Sequence, residues 1–508
     1  MKISILRALS VALIITVFSC SKEDPSTTLP DTEAVALDQN EPLTIPEINR
    51  IIENEIELNG DFDWNAVPEL VLWSALQHAD GVLTVGYGKD KDDFTINDSG
   101  RQTSSKLAIV EMVRTLEGKG RSTTDKDEDI LIYEDEYLTV IDLKVLQRET
   151  IASLRRNADI RYMEPSGYSY FQTVTEKSAL SDSGCGFDTE DISSNDYTTI
   201  SPNARMPWNF PLHHIDDAWA LSTGTGITIG VVDTGLSPNQ PLLNANFNNG
   251  DSSGRTVEKY GVYVDSFWPW SRKTDGPNDK CGHGTSMSAA ATAPRNNTGL
   301  PVGVAYNSNL ISYRASSDVL LNGYQEQKGV AKAITDLGRR NDVHIISMSM
   351  GYIYSINRIK DAIRYAYSRD KLIFCAGGTS TSFTNFLGVV FPASMSETVA
   401  VTGIEEGSGY DECDACHKGS TIDFTIIMER GNNNHIPVLG YYSGSEDYVG
   451  GSSVATANAA GIAALVWSKN PSWSRNDVLN KLKISAELYP NRSSSYGWGN
   501  LDALKAVQ

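Results

Sequence analysis

Hydrophobic and polar positions change their pattern near Pro207 and Trp208. Beyond this point short apolar runs alternate with segments of helical period. The runs predict strands over 227–232, 310–313, 343–348, 372–376 and 398–402. The periodic segments predict helices over 283–293, 328–340, 356–369, 453–468 and 475–487. This alternation predicts an α/β fold over 206–508, with a mostly parallel sheet and helices on both faces.

The part of the chain before this change predicts a smaller α+β domain over residues 66–172. Its predicted strands lie at 82–87, 130–133, 138–143 and 160–163, and its helices at 107–116 and 149–157; a further helical pattern at 48–56 precedes it. Residues 21–44 lack an apolar period and indicate a flexible tether, which we assign to 20–65 although order is expected from Ile45. Residues 173–205, rich in Ser, Asp, Asn and Gly, predict a linker.

The stretch from Gly450 to Ser468 carries no charge and is apolar or small on every face. Such a helix is either buried in the middle of a soluble fold or spans a membrane. Thr456 and Asn458 lie within it, and Lys469-Asn470-Pro471 ends it after fewer apolar residues than a bilayer requires. We therefore expect a buried helix at the centre of the larger domain.

Overall charge narrows the possible partners. The chain has 508 residues, 40% of them hydrophobic, a net charge of -21 and a pI near 4.8. Strong acidity argues against nucleic acid or an anionic membrane surface as the main partner. It is more simply explained as a means of staying soluble.

Residues 1–20 combine a basic start, a short apolar run and a final cysteine, which is typical of an export signal. Val-Phe-Ser-Cys at 17–20 resembles a bacterial lipobox, which implies removal of residues 1–19 and a lipid on Cys20. Ser-Lys-Glu-Asp at 21–24 resembles the acidic tag of cell-surface lipoproteins. The expectation is an outer-membrane or cell-surface lipoprotein. A plain secretory signal, giving a periplasmic or secreted protein, is the alternative.

Five cysteines remain besides Cys20, and an oxidising compartment favours at most two bridges and one free thiol. Cys375 lies in the apolar run 372–376 and is the expected buried, unpaired cysteine. Cys413, Cys416 and His417 match the spacing for attachment of c-type haem. A zinc site through the same three residues, a surface disulfide and two thiols are the other interpretations.

Three residues could together perform acyl transfer. Asp233 follows the predicted strand 227–232, His283 lies between two glycines at the start of a small-residue helix, and Ser453 opens the uncharged helix. In parallel sheets chemistry is located beyond the carboxyl ends of the strands. A serine nucleophile requires an imidazole to take its proton and a carboxylate to orient that imidazole. Taken alone, Ser453 could equally be an N-cap.

The motifs around these residues resemble the signatures of the subtilisin family of serine proteases. They are Val-Val-Asp-Thr-Gly (231–235), Gly-His-Gly-Thr (282–285) and Gly-Ser-Ser-Val-Ala (451–455), in the family's order Asp, His, Ser. The resemblance covers about residues 205–508. It implies a serine endopeptidase that cleaves proteins through an acyl-enzyme, with Asp233 orienting, His283 as base and then acid, and Ser453 as nucleophile.

The resemblance also implies a substrate site in which extended peptides pair with backbone groups. Carried over by motif, its residues are Ser349, Met350, Gly351, Ala376 and Gly377. The family's oxyanion asparagine is replaced here by Gly378, with Thr379, Ser380 or Asn385 as candidate substitutes beside the Ser453 N–H. Losing that donor costs about 10²–10³ in turnover, a value that comes from subtilisin itself. A weak or self-cleaving relative that mainly binds extended peptides is therefore the alternative.

The predicted elements at 138–143, 149–157 and 160–165 resemble the end of subtilase propeptides. This implies a folding chaperone and intramolecular inhibitor, with autocleavage within 166–205. A separate α+β binding domain is the alternative. A Cys185–Cys281 bridge is plausible and would tie the mature amino terminus beside His283. No cofactor is expected. The resemblance makes calcium a candidate ion, but no calcium site is assigned, because no carboxylate cluster has clear calcium-ligand spacing.

Overall fold

The computed structural model describes residues 41–97, 100–118, 130–171, 184–266, 268–378, 388–407 and 409–508. The predicted signal 1–19, the lipidation residue Cys20 and residues 21–40 of the predicted tether lie outside these ranges. So do the linker up to residue 183 and Thr379, Ser380 and Asn385. Across the described ranges, none of the helices combines the length and apolar character that crossing a membrane would require.

The amino-terminal domain is a four-stranded antiparallel sheet with helices, in strand order β2-β3-β1-β4. Its helices are α1 (Ile45–Asn59), α2 (Glu69–Gln77), α3 (Gly100–Gly118) and α4 (Arg148–Leu154). Its strands are β1 (Val82–Tyr87), β2 (Leu131–Glu134), β3 (Val140–Lys144) and β4 (Ile160–Pro165).

Helix α1 lies within the segment predicted as a tether. The Glu47 carboxylate accepts hydrogen bonds from the N–H and hydroxyl of Thr44, at 2.8 and 2.7 Å, and so stabilises the start of the helix. Ile48, Ile52 and Ile56 recur every four residues and are buried on one face. The boundary predicted at residue 65 is therefore too late, because the packed domain already includes this helix.

The larger domain contains a seven-stranded sheet in the order β13-β12-β11-β10-β7-β9-β8. Its strands are β5 (Tyr197–Ile200), β6 (Ala204–Pro207), β7 (Thr228–Asp233), β8 (Val257–Gly261), β9 (Asn309–Arg314), β10 (Ile345–Met348), β11 (Leu372–Ala376), β12 (Val399–Glu405), β13 (Phe424–Glu429), β14 (Ile436–Leu439) and β15 (Glu446–Val449). Its helices are α5 (Ile215–Ala218), α6 (His283–Thr292), α7 (Tyr324–Arg339), α8 (Asn357–Ser368), α9 (Gly451–Lys469), α10 (Arg475–Ser485) and α11 (Ala503–Val507). All six pairings in the large sheet are parallel, which confirms the predicted fold class.

Helix α9 is the buried helix that its uncharged sequence predicts. Every residue from Val454 to Trp467 is buried, and the helix packs against α6 and strands β10 to β13. Small residues such as Gly461 allow this close approach, because a Cβ there would lie 2.6 Å from a carbon of Val304. The first turn of α9 consequently lies at the carboxyl ends of the parallel strands.

The end of the predicted linker is part of the larger domain. Cys185 forms a disulfide with Cys281, which confirms the predicted pairing. Strands β5 and β6 form a hairpin, and the buried Asp196 accepts hydrogen bonds from Arg430 and Tyr448 at 2.7 and 2.6 Å. The boundary predicted at residue 205 is too late, because the chain is anchored to this domain from residue 184.

Candidate active site

Asp233 and His283 form a buried hydrogen-bonded pair at the carboxyl edge of the sheet. Asp233 ends β7, and its Oδ1 accepts from the Thr234 N–H and from Nδ1 of His283, both at 2.8 Å. Both side chains are buried. The bond fixes the tautomer in which Nδ1 carries the proton, leaving Nε2 free to accept one.

A buried carboxylate holds the loop that presents His283. Oδ1 of Asp279 accepts from the N–H groups of Cys281 and Gly282, each at 2.8 Å. Its Oδ2 accepts from the N–H and hydroxyl of Thr285, at 3.0 and 2.6 Å. Gly282 has φ of 99°, which favours glycine. Asp279 was not among the predicted site residues. An aspartate two residues before Cys-Gly-His is nevertheless typical of a side chain that caps a loop.

Neighbouring charges determine the protonation of His283. Burial alone would lower its pKa, but the carboxylate of Asp233, with smaller contributions from Asp279 and Asp318, raises it above the ordinary value. The imidazolium is therefore stabilised at the step in which His283 would hold the proton of a nucleophile.

Ser453 lies in the first turn of α9 and lines the same cavity as His283, a space of about 500 Å³. Its hydroxyl donates to the carbonyl of Ser349 at 3.5 Å, and the Ser349 hydroxyl donates to the carbonyl of Ser453 at 3.0 Å. The structure thus brings the three predicted residues to one site. It shows no direct hydrogen bond between Ser453 and His283, a bond that often tightens only when substrate is bound.

The predicted substrate segment at 349–351 is engaged with other parts of the chain. Met350 is buried. The N–H of Gly351 donates to the carbonyl of Val319 at 3.1 Å, and its carbonyl accepts from the N–H of Leu321 at 3.2 Å. An extended peptide could pair with Gly351 only after these two bonds open.

The backbone of the second predicted substrate segment, Ala376 and Gly377, is also hydrogen-bonded within the chain, as is that of the neighbouring Gly378. Ala376 ends β11 beside Val401 of β12. The N–H of Gly377 donates to the Val401 carbonyl at 2.8 Å, and its carbonyl accepts from Val390 at 3.0 Å. The N–H of Gly378 donates to Oγ of Ser452 at 3.2 Å. Backbone pairing with substrate at these positions is therefore not available in this arrangement.

The remaining cysteines restrict the interpretations of the Cys413-Asp-Ala-Cys416-His417 motif. Cys413 and Cys416 form a disulfide, so neither sulfur is a free thiolate for zinc or for a thioether to haem. Both are buried, which differs from the predicted surface disulfide.

Cys375 is buried and unpaired, as predicted. In the described part of the chain, no group of three or more His, Cys, Asp or Glu residues is arranged to hold a metal ion.

Comparison with known proteins gives the family. The sequence profile of the subtilase family matches residues 224–499, more than half of the chain. Subtilisin from Bacillus sp. strain TA39 is 27% identical over 308 residues, which are 57% of this chain and 68% of that protein. Alkaline elastase YaB from Bacillus sp. strain YaB is 25% identical over 406 residues, 79% of this chain and 88% of the relative.

A solved structure agrees with the fold. Fervidolysin from Fervidobacterium pennivorans, described as a keratinolytic enzyme related to subtilisin, matches with a TM-score of 0.56 at 18% identity. The match covers 84% of this chain and 61% of fervidolysin. The parallel sheet, the site at its edge and these relatives define a serine protease. The chain belongs to the subtilase family.

Proposed function

We propose that this chain is a serine endopeptidase that cleaves proteins through Asp233, His283 and Ser453. The observation that carries the proposal is the buried 2.8 Å bond between Asp233 and His283, in a cavity that Ser453 also lines. A buried carboxylate that orients an imidazole, in a cavity shared with a serine at a helix N-terminus, is the arrangement that acyl transfer requires.

The proposed reaction has two stages. Oγ of Ser453 forms a bond to the peptide carbonyl carbon while Nε2 of His283 takes the hydroxyl proton. Asp233 stabilises the imidazolium, which then gives its proton to the leaving amine as the C–N bond breaks. Water next attacks the acyl carbon while His283 takes a proton from it, and His283 returns that proton to Oγ of Ser453 as the ester C–O bond breaks and the carboxylic acid product leaves.

Fluorophosphonate labelling combined with a turnover assay tests this proposal. We expect the probe to modify Ser453 and the protein to hydrolyse unfolded protein substrates. Ser286→Ala is a matched control, because Ser286 lines the same cavity without a proposed chemical role. The control should keep both labelling and turnover. An unlabelled Ser453 in a folded, fully matured protein would contradict the proposal.

A weak or self-cleaving relative that mainly binds peptides is the second candidate. Two observations favour it over an efficient enzyme: Gly378 lacks the family's oxyanion side chain, and the backbone groups of Gly351 and Gly377 are already paired. Labelling of Ser453 without turnover of added substrate would favour this candidate.

We further propose that the amino-terminal domain is a propeptide that inhibits the enzyme. The domain docks on α7 and α8 through buried charges. Arg161 of β4 forms a bidentate pair with Asp361, at 2.7 and 3.2 Å, and Arg358 pairs with Asp142 of β3. The Glu164 carboxylate accepts from the N–H groups at the start of α8. Pairing of this kind supports a specific, intramolecular partner.

The chain leaves this domain toward the proposed active site. The N–H of Tyr170 donates to the hydroxyl of Tyr352 at 3.3 Å, and the carbonyl of Phe171 accepts from Asn322 at 3.2 Å. The chain is next described at Gly184, where a Cβ would lie 3.2 Å from Cδ2 of His283. Residues 172–183 thus join two segments that are both anchored to the larger domain, which supports a maturation cut within them.

Loss of the Asp142 charge is expected to loosen the propeptide. Asp142 is fully buried, pairs with Arg358 and accepts from the hydroxyl of Tyr324 at 2.7 Å. Asp142→Asn leaves the Arg358 charge buried without a counter-charge, at a cost of about 3–5 kcal/mol. Urea-induced undocking, followed by the fluorescence of the buried Trp64, should therefore start at clearly lower urea concentration.

Glu111→Gln is the control for this experiment, because the Glu111–Arg114 pair is exposed in the same domain. Removing an exposed pair costs about 0–1 kcal/mol, so the control should undock at nearly the wild-type concentration. Equal undocking of the Asp142 and Glu111 variants would show that the buried pair does not hold the propeptide.

We also propose that the protein is exported and anchored to a membrane by a lipid on Cys20, with proteins or peptides rather than nucleic acid as partners. The two disulfides support an oxidising compartment. The net charge of -21 supports the exclusion of nucleic acid.

A further inference from the structure

The position of the missing oxyanion asparagine is occupied by another side chain. Gly378 follows β11 with φ of +126°, a conformation that favours glycine. A Cβ built on Gly378 would lie 2.4 Å from Nδ1 of His417, and 3.0 and 3.1 Å from two ring carbons. The imidazole of His417 therefore fills the space in which a side chain on residue 378 would begin.

The backbone connects this imidazole to the nucleophile. The N–H of Gly378 donates to Oγ of Ser452, the residue before Ser453, at 3.2 Å. The N–H of His417 donates to the Gly378 carbonyl at 3.1 Å. Ala415, two residues before His417, lines the cavity shared by His283 and Ser453. His417 thus lies beside the backbone segment that contacts the residue before the proposed nucleophile.

Several contacts hold His417 in this place. Its carbonyl accepts from the hydroxyl of Thr402 at 2.6 Å, and the preceding residue is tied by the Cys413–Cys416 disulfide. The side chain is only 4% exposed. A group fixed in this way loses little conformational freedom when it binds a reaction intermediate.

The ring of His417 has unused hydrogen-bonding capacity. Among the described residues, neither Nδ1 nor Nε2 has a hydrogen-bond partner of good geometry. Burial lowers the pKa of His417, an effect that the Gly388 backbone and the charge of Glu412 only partly offset. A neutral imidazole keeps one N–H donor at neutral pH, and a buried donor without a partner is costly unless a ligand uses it.

We propose that the ring N–H of His417 donates to the oxyanion of the tetrahedral intermediate, in place of the absent asparagine. The inference rests on the proposed peptidase function. As Ser453 bonds to the carbonyl carbon and His283 takes the serine proton, the carbonyl π pair moves onto oxygen. His417 then stabilises that negative charge. As the C–N bond breaks, the oxygen pair re-forms the carbonyl π bond and the amine leaves with the proton that His283 held. The motif that resembles a haem site would thus serve acyl transfer.

His417→Phe tests the inference, because phenylalanine keeps a ring of similar size and removes the donor. We expect kcat to fall about 10²-fold with KM little changed, the usual effect of losing one oxyanion donor. Self-cleavage of the full chain should slow by a similar factor. His417→Gln, which restores an N–H donor, should recover part of the loss. His344→Phe is the matched control. His344 immediately precedes β10, at the end of the strand away from Ser349 and the proposed site, so this variant should retain kcat.

A peptide aldehyde provides a readout that a purely structural role would not change. Its adduct with Ser453 carries a tetrahedral oxygen like that of the intermediate, so the His417→Phe variant should bind it about 10²-fold more weakly. Binding of a matching non-reactive peptide should not change. Each rate is divided by the concentration of protein that fluorophosphonate can label at Ser453, so that unfolded molecules are not counted.

The outcomes separate the two proposals. Matured wild-type protein without turnover would overturn the proposed function and this inference with it. Wild-type turnover with unchanged kcat in His417→Phe would overturn the inference alone. A loss that is equal for Phe and Gln, with aldehyde and plain peptide binding weakened together, would assign His417 a packing role and would also overturn it.

Discussion

Ser453→Ala is expected to lower peptide hydrolysis by on the order of 10⁶ and to leave the chain uncut. The magnitude is that of removing the nucleophile in subtilisin, a relative of this protein. The reason here is that Ser453 lines the same cavity as His283 and lies in the first turn of a helix. Alanine removes the attacking atom and keeps the helix.

Intact mass and peptide hydrolysis measure both effects. The wild-type chain should yield a new amino terminus within 172–183, because the flanking residues on both sides are anchored to the larger domain. The alanine variant should keep its full mass. Ser286→Ala should mature normally. A cut at the same place in the alanine variant would require a different protease, and unchanged hydrolysis would remove the assignment of Ser453.

Asp233→Asn is expected to lower kcat by about 10⁴ while the protein remains folded. The Asp233 carboxylate accepts from Nδ1 of His283 at 2.8 Å, and asparagine can present its N–H₂ there instead. The imidazole then takes the tautomer with its proton on Nε2, and it can no longer accept the proton of Ser453. The steady-state kcat on a short peptide measures this loss.

The same variant should change the pH dependence in a defined direction. In the wild type, burial lowers the pKa of His283, but Asp233 together with Asp279 and Asp318 more than offsets this and raises the pKa above its ordinary value. Activity should therefore fall as pH drops below a value higher than ordinary. Removing the carboxylate leaves burial dominant and lowers the pKa. The acid limb of the kcat/KM profile should therefore move to lower pH. An acid limb that stays in place would mean that another group controls it.

The fold was predictable where a strand is apolar throughout. Strand β11 (Leu372–Ala376) has its predicted bounds, because a continuous apolar run is what a strand buried on both faces requires. Strand β8 (Val257–Gly261) is absent from the prediction, because Glu258 and Lys259 interrupt an edge strand. Helix α2 (Glu69–Gln77) was missed because it is buried on most of its surface and shows little helical period.

The site was predictable only in part. Motifs located Asp233, His283 and Ser453, because local sequence carries those signals. The contact between Gly378 and His417 forms only in the folded chain, where the loop between β12 and β13 meets the end of β11, and no local pattern reports it. The internal pairing of Gly351 with residues 319 and 321 has the same origin.

After a cut within 172–183, the Cys185–Cys281 disulfide would keep one of the two new chain ends attached to the larger domain, but not the other. The propeptide side is held only by noncovalent contacts and can depart. The other side stays bonded two residues from His283, where Gly184 and Gly186 form part of the cavity wall. In the mature enzyme, the segment next to the new amino terminus would thus form one side of the cleft. A chain kept in a reducing cytosol would lack that covalent wall, so the cleft would be completed only after export.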